Sequence, residues 1–341
     1  RFKREVALNR KIKHPNVARM YDYGIAGDYP YITMELVDGV DLWTMIGQRQ
    51  RFLAAEAVPI VRQIARGTAA IHRLKILHRD LKSQNVIIDR QGAAVILDFG
   101  LARGSWEPGL TLASVLLGTP QYMSPEQALG EELDERADLY SIGIIAWEML
   151  AGRTPFQGES PVATAMKHVH DPFPDIRELV PDLPADLYAV LSRVLARRRE
   201  DRFASALELD DALALAMLHS LHKRRDCDLR AVTLTKNHPL AGRFVDAVNT
   251  FYGRGDLPIG VRRQGKVEES KFLPLATIQD DGKLRFPNDL DPDQASDAVA
   301  LLREILAREP DHSVVLVQVG FFSNLADLLD TPADARSPLT G

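Results

Sequence analysis

Apolar positions recur with a helical period through much of the first two thirds of the chain. Residues 55–74 carry their apolar side chains on one face, which predicts an amphipathic helix. Residues 142–150 are apolar except for Glu148, which predicts a helix buried among other elements. The positions that define the face of the first helix are Val58, Val61, Ile64, Thr68 and Ile71.

Short apolar runs between turn-forming residues predict strands. Residues 86–88 and 94–97 flank the turn segment 89–92, so we expect a β-hairpin there. Residues 31–37 predict a further strand, which stops before Asp38 and Gly39. Residues 2–13 have a helix-forming composition, and Pro15 ends this helix because proline disfavours helix in the residue before it.

The pattern changes near Leu209, where helical and strand-like segments begin to alternate. We expect helices at residues 210–222, 241–252, 295–308 and 324–329, and strands at residues 230–235 and 259–262. The apolar run 313–319 predicts a buried strand. This alternation is typical of a parallel α/β sheet, so the chain is expected to contain two different architectures.

Composition and charge narrow the class of protein. A length of 341 residues suggests two domains or one large one, and a net charge of −5 gives no support for nucleic acid or an anionic membrane as partner. The single cysteine, Cys227, excludes an internal disulfide and suits a reducing cytoplasm. No apolar run approaches the roughly 20 residues of a membrane span. The chain opens on Arg1 rather than methionine, which leaves room for an upstream segment.

Three motifs in fixed order carry the chemistry: His78-Arg79-Asp80-Leu81-Lys82 with Asn85, then Asp98-Phe99-Gly100, then Ser124-Pro125-Glu126. Asn85 follows Asp80 by 5 positions and Asp98 follows it by 18. In this register the motifs resemble the catalytic half of a protein kinase. Residues 118–123 resemble the segment of that family that receives the acceptor residue.

The resemblance implies a role for each motif residue. Asp80 would orient the acceptor hydroxyl and take its proton, and Lys82 would neutralise charge on the γ-phosphoryl group of ATP. Asn85 and Asp98 would hold Mg²⁺ through oxygen ligands. A lysine two residues after the base, together with Thr119, resembles serine/threonine kinases, whose substrates are protein hydroxyls. The alternative for Asp80, Asn85 and Asp98 is a turn-forming role.

The same resemblance implies a nucleotide site. Glu5 would be the helix carboxylate that pairs with the nucleotide-binding lysine, although a solvated helix glutamate is the alternative. Met34 would be the gatekeeper, and the backbone of Glu35 and Val37 would hydrogen-bond adenine. Asp41 would reach the ribose or, equally, cap the following helix.

Other residues would regulate or hold the site. By resemblance, Arg79 binds a phosphorylated activation loop, for which Ser105, Thr111 and Ser114 are candidate phosphosites, with Thr119 at its end. Hydroxyl residues are also common in any loop. Asp138 would bind the backbone of the catalytic loop, and Glu126 would pair with Arg202.

Two elements of a kinase are absent from this sequence. No Gly-x-Gly-x-x-Gly motif occurs in it, and the nucleotide-binding lysine of the third strand would precede Phe2. We therefore expect a protein-kinase-like α+β fold in residues 1–208, with a mainly helical C-lobe and a remnant N-lobe. This polypeptide is expected to transfer phosphate poorly. A non-catalytic scaffold of the pseudokinase type is the second hypothesis.

Residues 209–341 resemble part of the inosine–uridine nucleoside hydrolases, through segments 210–215, 229–237 and 314–324. That resemblance implies an incomplete α/β segment with Asp210, Asp211 and the Val319 carbonyl as calcium ligands and Asn237 near a ribose. The family's other aspartates are replaced by Ala204 and Ala206, with Glu208 where its glycine belongs, so we expect no calcium site and no hydrolase activity. Asp210 and Asp211 are alternatively acids on a helix surface.

Overall fold

The computed structural model describes residues 10–26, 29–97, 119–235, 237–264, 276–280, 282–317 and 323–333. The chain divides into two compact units, Arg1–Met217 and Leu218–Gly341. None of the helices in these described ranges is long and apolar enough to cross a membrane.

Unit 1 combines two small antiparallel sheets with a larger set of helices. Strands β1 and β2 form one sheet, and β3, β4 and β5 form the other in that order. The strands are β1 Met20–Ala26, β2 Tyr29–Met34, β3 Gly39–Asp41, β4 Val86–Asp89 and β5 Ala94–Ile96. The helices are α1 Leu42–Arg49, α2 Ala54–His72, α3 Pro125–Leu129, α4 Glu135–Ala151, α5 Pro161–His170, α6 Ala185–Val194 and α7 Ala206–Lys223, whose last residues belong to unit 2.

Helix α4 is the centre of the core of unit 1. All of its residues from 137 to 150 are buried, as the apolar run predicted. Asp134 caps its first turn by accepting a hydrogen bond from the Arg136 amide, and Gly152 ends it in a left-handed conformation with φ of 74°. Helix α2 packs against α4 and against β5. The close approach of α2 to the sheet requires Gly67, because a Cβ there would lie 2.6 Å from the Asn16 carbonyl oxygen.

The predicted elements of this unit are confirmed where the structure describes them, with one exception. The hairpin β4–β5, the helix at 55–74 and the strand beginning near residue 31 are all present, with ends shifted by a few residues. Arg10 and Lys11 form a turn, so the prediction of helix up to Lys13 is wrong for these residues. Glu5 and the rest of that predicted helix lie outside the described residues.

Unit 2 contains a three-stranded parallel sheet in the order β10-β7-β6. Helices α8 and α9 both contact its middle strand, so the predicted alternation of helix and parallel strand is confirmed. The elements are β6 Val232–Thr233, α8 Ala241–Phe251, β7 Ile259–Val261, β8 Gln279–Asp280, β9 Lys283–Leu284, β10 Ser296–Asp297, α9 Ala298–Arg308 and α10 Ser323–Leu329.

The predicted buried strand at residues 313–319 is wrong over its described part. Residues 313–317 have no regular secondary structure. Val315 is 84% exposed, and Leu316 and Val317 are 43% and 48% exposed. An apolar run becomes a buried strand only if a sheet edge lies in register beside it, and the run itself does not encode that partner.

Candidate active site

The predicted catalytic loop, residues 78–85, lies between the end of α2 and the start of β4. Its anchor is Leu81, which is 1% exposed in the core of unit 1. The 3₁₀ turn Ser83–Asn85 leads directly into β4. The amide of Leu97 donates to the Asn85 carbonyl oxygen at 2.8 Å, so the end of β5 is fixed beside this turn. The residue after Leu97 is Asp98, which lies outside the described residues.

The buried carboxylate of Asp138 binds the backbone of this loop. Its carboxylate accepts hydrogen bonds from the backbone amides of His78 and Arg79, each at 2.8 Å, and contacts His72 Nε2 at 2.7 Å. Burial alone would raise the pKa of Asp138, but the hydrogen bond from His72 and the charges of His72 and His78 bring it below its usual value. Burial lowers the pKa of His78. This buried carboxylate therefore fixes the backbone that leads to Asp80.

The side chains of Asp80, Lys82 and Thr119 form a continuous hydrogen-bonded row. Lys82 Nζ lies 2.9 Å from Asp80 Oδ2 and 2.9 Å from Thr119 Oγ1. Asn85 Nδ2 donates to the Asp80 carbonyl oxygen at 2.9 Å. The side chains of Asp80 and Lys82 are 25% and 21% exposed, so solvent or a bound molecule can reach them. The arrangement places a carboxylate and an ammonium group together beside the predicted acceptor segment.

The acceptor segment rests on a buried polar network that the sequence did not predict. Tyr122 donates from its hydroxyl to Glu148 Oε2 at 2.7 Å, and the Ser83 hydroxyl lies 2.8 Å from the same Tyr122 oxygen. Burial raises the pKa of Glu148, and burial together with the nearby Glu148 raises the pKa of Tyr122. The only signal for this network was the single acid that interrupts the apolar run 142–150.

Glu126 and Arg202 form a bidentate ion pair. The Arg202 Nη1 and Nη2 atoms lie 2.7 and 2.9 Å from the two Glu126 carboxylate oxygens, and both side chains are buried. The guanidinium also donates to the carbonyl oxygens of Arg136, Ala196 and Arg197, so each nitrogen is used. A fully buried arginine of this kind requires such complete pairing.

The predicted adenine-binding segment follows β2. The Glu35 amide donates to the Arg19 carbonyl oxygen at 2.8 Å, so an adenine contact at this residue would go to the Glu35 carbonyl. Val37 lies in the irregular segment 35–38, three residues after Met34, which ends β2. Asp41 caps α1, because its carboxylate accepts from the Thr44 amide at 2.8 Å and the Thr44 hydroxyl at 2.7 Å. Its contact with a ribose stays a prediction.

Arg79 occupies the left-handed region, with φ of 68°. Its buried Nε atom has no hydrogen-bond partner within the described ranges. The side chains proposed to meet it, Ser105, Thr111 and Ser114, lie outside those ranges. A role of Arg79 in binding a phosphorylated loop therefore stays a prediction.

The interpretation of Asp210 as a helix-surface acid is wrong, because the residue is 1% exposed. Its carboxylate oxygens lie 2.7 Å from Arg62 Nε and 2.8 Å from Arg66 Nε, which argues against the calcium role that the resemblance implied. Two guanidinium groups occupy the oxygens that a cation would need. Asp211 is exposed. Asn237 donates from Nδ2 to the Arg263 carbonyl oxygen, and Val319 lies outside the described residues. The described ranges contain no group of three or more metal-ligating side chains.

Comparison with known proteins identifies the family of the first unit. A family model described as "Protein kinase domain" matches residues 1–213. The probable serine/threonine-protein kinase PknB of Lactococcus lactis subsp. lactis is 37% identical over 209 residues, which are 61% of this chain and 33% of the relative. Serine/threonine-protein kinase PknB of Mycolicibacterium smegmatis is 38% identical over 216 residues, 61% of this chain and 34% of the relative. Serine/threonine-protein kinase pkn2 of Myxococcus xanthus is 39% identical over 225 residues, which are 63% of this chain and 27% of the relative.

The chain therefore belongs to the protein kinase domain family. Its domain is of the bacterial serine/threonine-protein kinase type. The crystal structure of Rad53 1–466 in complex with AMP-PNP has a TM-score of 0.53 at 23% identity, covers 62% of this chain and 53% of that one, and supports the fold alone. The chain spans about a third of the length of the curated relatives it matches.

Proposed function

We propose that this domain transfers the γ-phosphoryl group of ATP to a serine or threonine hydroxyl of a protein substrate. The observation that carries the proposal is the row Asp80–Lys82–Thr119, with Lys82 Nζ at 2.9 Å from both neighbours. A carboxylate that can take the hydroxyl proton and an ammonium that can neutralise phosphoryl charge are the groups this reaction needs. Thr119 brings the acceptor segment to them.

The acceptor chemistry follows from these three side chains. Asp80 would accept the proton of the substrate hydroxyl as its oxygen attacks the γ-phosphorus. Lys82 would stabilise the negative charge on the phosphoryl oxygens through its fixed ammonium group. Because Thr119 also binds Lys82, the same contact that orients the lysine would hold the acceptor segment close to the base.

The donor set near Asp80 suits Mg²⁺. Asn85 donates from Nδ2 to the Asp80 carbonyl oxygen, and its amide oxygen is a hard ligand of the kind magnesium prefers. Asp98 would supply a carboxylate. Bound Mg²⁺ would neutralise phosphate charge, and the chain's own part is to orient these oxygens.

The division of the chain belongs to the same proposal. We propose a kinase domain in residues 1–208 that lacks the glycine-rich loop and its lysine, followed by an incomplete nucleoside-hydrolase-like α/β segment in residues 209–341. The parallel sheet of unit 2 supports an α/β segment. Asp210 of α7, which the resemblance would make a calcium ligand, is instead bound by Arg62 and Arg66, and this argues against hydrolase chemistry.

The test measures phosphoryl transfer from radiolabelled ATP to peptides that present serine, threonine or tyrosine. The chain is assayed alone and as a fusion whose N-terminal extension supplies a relative's glycine-rich loop and lysine. We expect the fusion to label serine and threonine peptides, and Lys82→Met and Thr119→Ala each to lower kcat by about tenfold or more. Lys13→Met, at an exposed lysine, is the matched control.

Labelling of tyrosine alone, or full activity of the Lys82→Met fusion, would contradict the proposal. A folded fusion that binds ATP and transfers nothing would favour the scaffold hypothesis instead.

A further inference from the structure

Gln127 connects the acceptor segment to the catalytic loop through both ends of its side-chain amide. Its Oε1 accepts from the Ser124 backbone amide at 3.0 Å, and its Nε2 donates to the Arg79 carbonyl oxygen at 2.9 Å. Its own backbone amide donates to the Ser124 hydroxyl at 3.3 Å, which completes a capping box at the start of α3. The side chain is 2% exposed, so water cannot readily replace either hydrogen bond.

The acceptor of the second bond is part of a strained peptide. Arg79 has a left-handed φ of 68°, a conformation that non-glycine residues adopt at an energetic cost and that the surroundings must enforce. Asp138 holds the Arg79 amide at 2.8 Å. Gln127 holds the Arg79 carbonyl, which belongs to the peptide group joining Arg79 to Asp80. The orientation of that peptide group sets the direction from which the Asp80 side chain leaves the backbone.

We propose that Gln127 is a positioning residue for phosphoryl transfer. It fixes the backbone of Asp80 relative to the segment that receives the acceptor, so that base and acceptor keep one separation. This role rests on the proposed function. The amide accepts from Ser124 and donates to Arg79 at the same time, whereas an ionised carboxylate has no proton to donate and an apolar chain offers neither group.

The test replaces the donor alone. Gln127→Glu, measured at a pH where the new carboxyl is ionised, keeps the shape of the side chain and an acceptor for the Ser124 amide, but it leaves the buried Arg79 carbonyl without a donor. Gln48→Glu makes the same chemical change at an exposed position of α1 and serves as the control. Amide hydrogen exchange of the full 341-residue chain is measured, with resolution on the loop residues 78–82 and on α4.

We expect loop amides in Gln127→Glu to exchange about tenfold faster than in the parent, with α4 unchanged, because one buried hydrogen bond is lost locally. A merely structural residue would accelerate exchange in α4 as well. Loop exchange equal to the parent in a folded variant would overturn the proposal. Should Gln127→Glu fail to fold, Gln127→Met removes both hydrogen bonds without adding charge, and the same comparison of loop with α4 decides.

Any phosphoryl transfer by the full chain gives a second readout. The proposal predicts that Gln127→Glu lowers kcat by about tenfold while KM for ATP stays unchanged, since a displaced base affects the chemical step. A rise in KM alone would count against it. Absence of transfer from parent and variants would count against the proposed function and not against Gln127, whose role the exchange measurement decides.

Discussion

Replacing Asp210 with asparagine removes the negative charge of the ion cluster that joins α2 to α7. Asp210 bridges Arg62 and Arg66 at 2.7 and 2.8 Å, and its side chain is 1% exposed. Asparagine fills nearly the same volume. Its single oxygen can accept from one arginine, but its amide group then points donors at the other guanidinium.

The expected loss follows from the exposure of the two arginines. Removing one partner of a buried ion pair costs about 3–5 kcal/mol when the remaining charge stays buried. Arg62 is 12% exposed and stays largely enclosed, whereas Arg66 is 39% exposed and can be hydrated again. Water can therefore compensate the charge of Arg66 but not that of Arg62, and we expect the free energy of unfolding of unit 1 to fall by about 2–3 kcal/mol.

Urea unfolding followed by tryptophan fluorescence measures this loss. The three tryptophans of the sequence are Trp43, Trp106 and Trp147, and all belong to unit 1. Asp182→Asn, the same change at an exposed acid of unit 1, is the control and should alter stability by less than about 0.5 kcal/mol. A loss of that size or smaller in Asp210→Asn would refute the argument. So would a midpoint that millimolar calcium raises in the parent but not in this variant.

Two further predictions concern the core of unit 1. Burial lowers the pKa of His168 to about 4, whereas its pKa in the unfolded chain is about 6.5. Between these two pH values the unfolded state binds a proton at this histidine and the folded state does not. Stability should therefore fall as the pH is lowered from 6.5 toward 4. His168→Gln, measured by urea unfolding across this range, should reduce that slope by about 1.4 kcal/mol per pH unit. An unchanged slope would show that His168 is not the group responsible. Gly67→Ala should destabilise unit 1 by about 1–3 kcal/mol, because the added methyl group would meet the Asn16 carbonyl. Gly47→Ala should stabilise it slightly, because a methyl group there would have no atom within 4 Å. Equal melting temperatures of the two variants would contradict this prediction.

The sequence predicts best those parts of the site whose residues lie close together along the chain. Asp80, Lys82 and Asn85 lie within one short loop, so the motif that carries the kinase resemblance can be recognised locally, and the amphipathic and apolar periods predicted α2 and α4. The pairing of Glu126 with Arg202 joins residues 76 positions apart. It came from family resemblance, because no local pattern specifies such a partner.

Contacts between distant residues were missed for the same physical reason. Asp210 lies 148 positions from Arg62, and nothing in the composition of α7 indicates that one acid turns inward. Gln127 is an unremarkable polar residue until the fold brings the Arg79 carbonyl to it. The apolar run 313–317 failed in the opposite way. Its composition favours a strand, but these residues form no strand and Val315 is exposed.

The most direct test of the kinase assignment is ATP-dependent phosphorylation with Asp80→Asn. The measurement uses the 341-residue chain and the fusion that supplies the glycine-rich loop and lysine, with Asp182→Asn, at an exposed acid, as control. We expect weak transfer from the chain, serine and threonine labelling by the fusion, and a loss of about 10³-fold or more in Asp80→Asn only. Strong labelling that survives Asp80→Asn would contradict the assignment of Asp80 as the base.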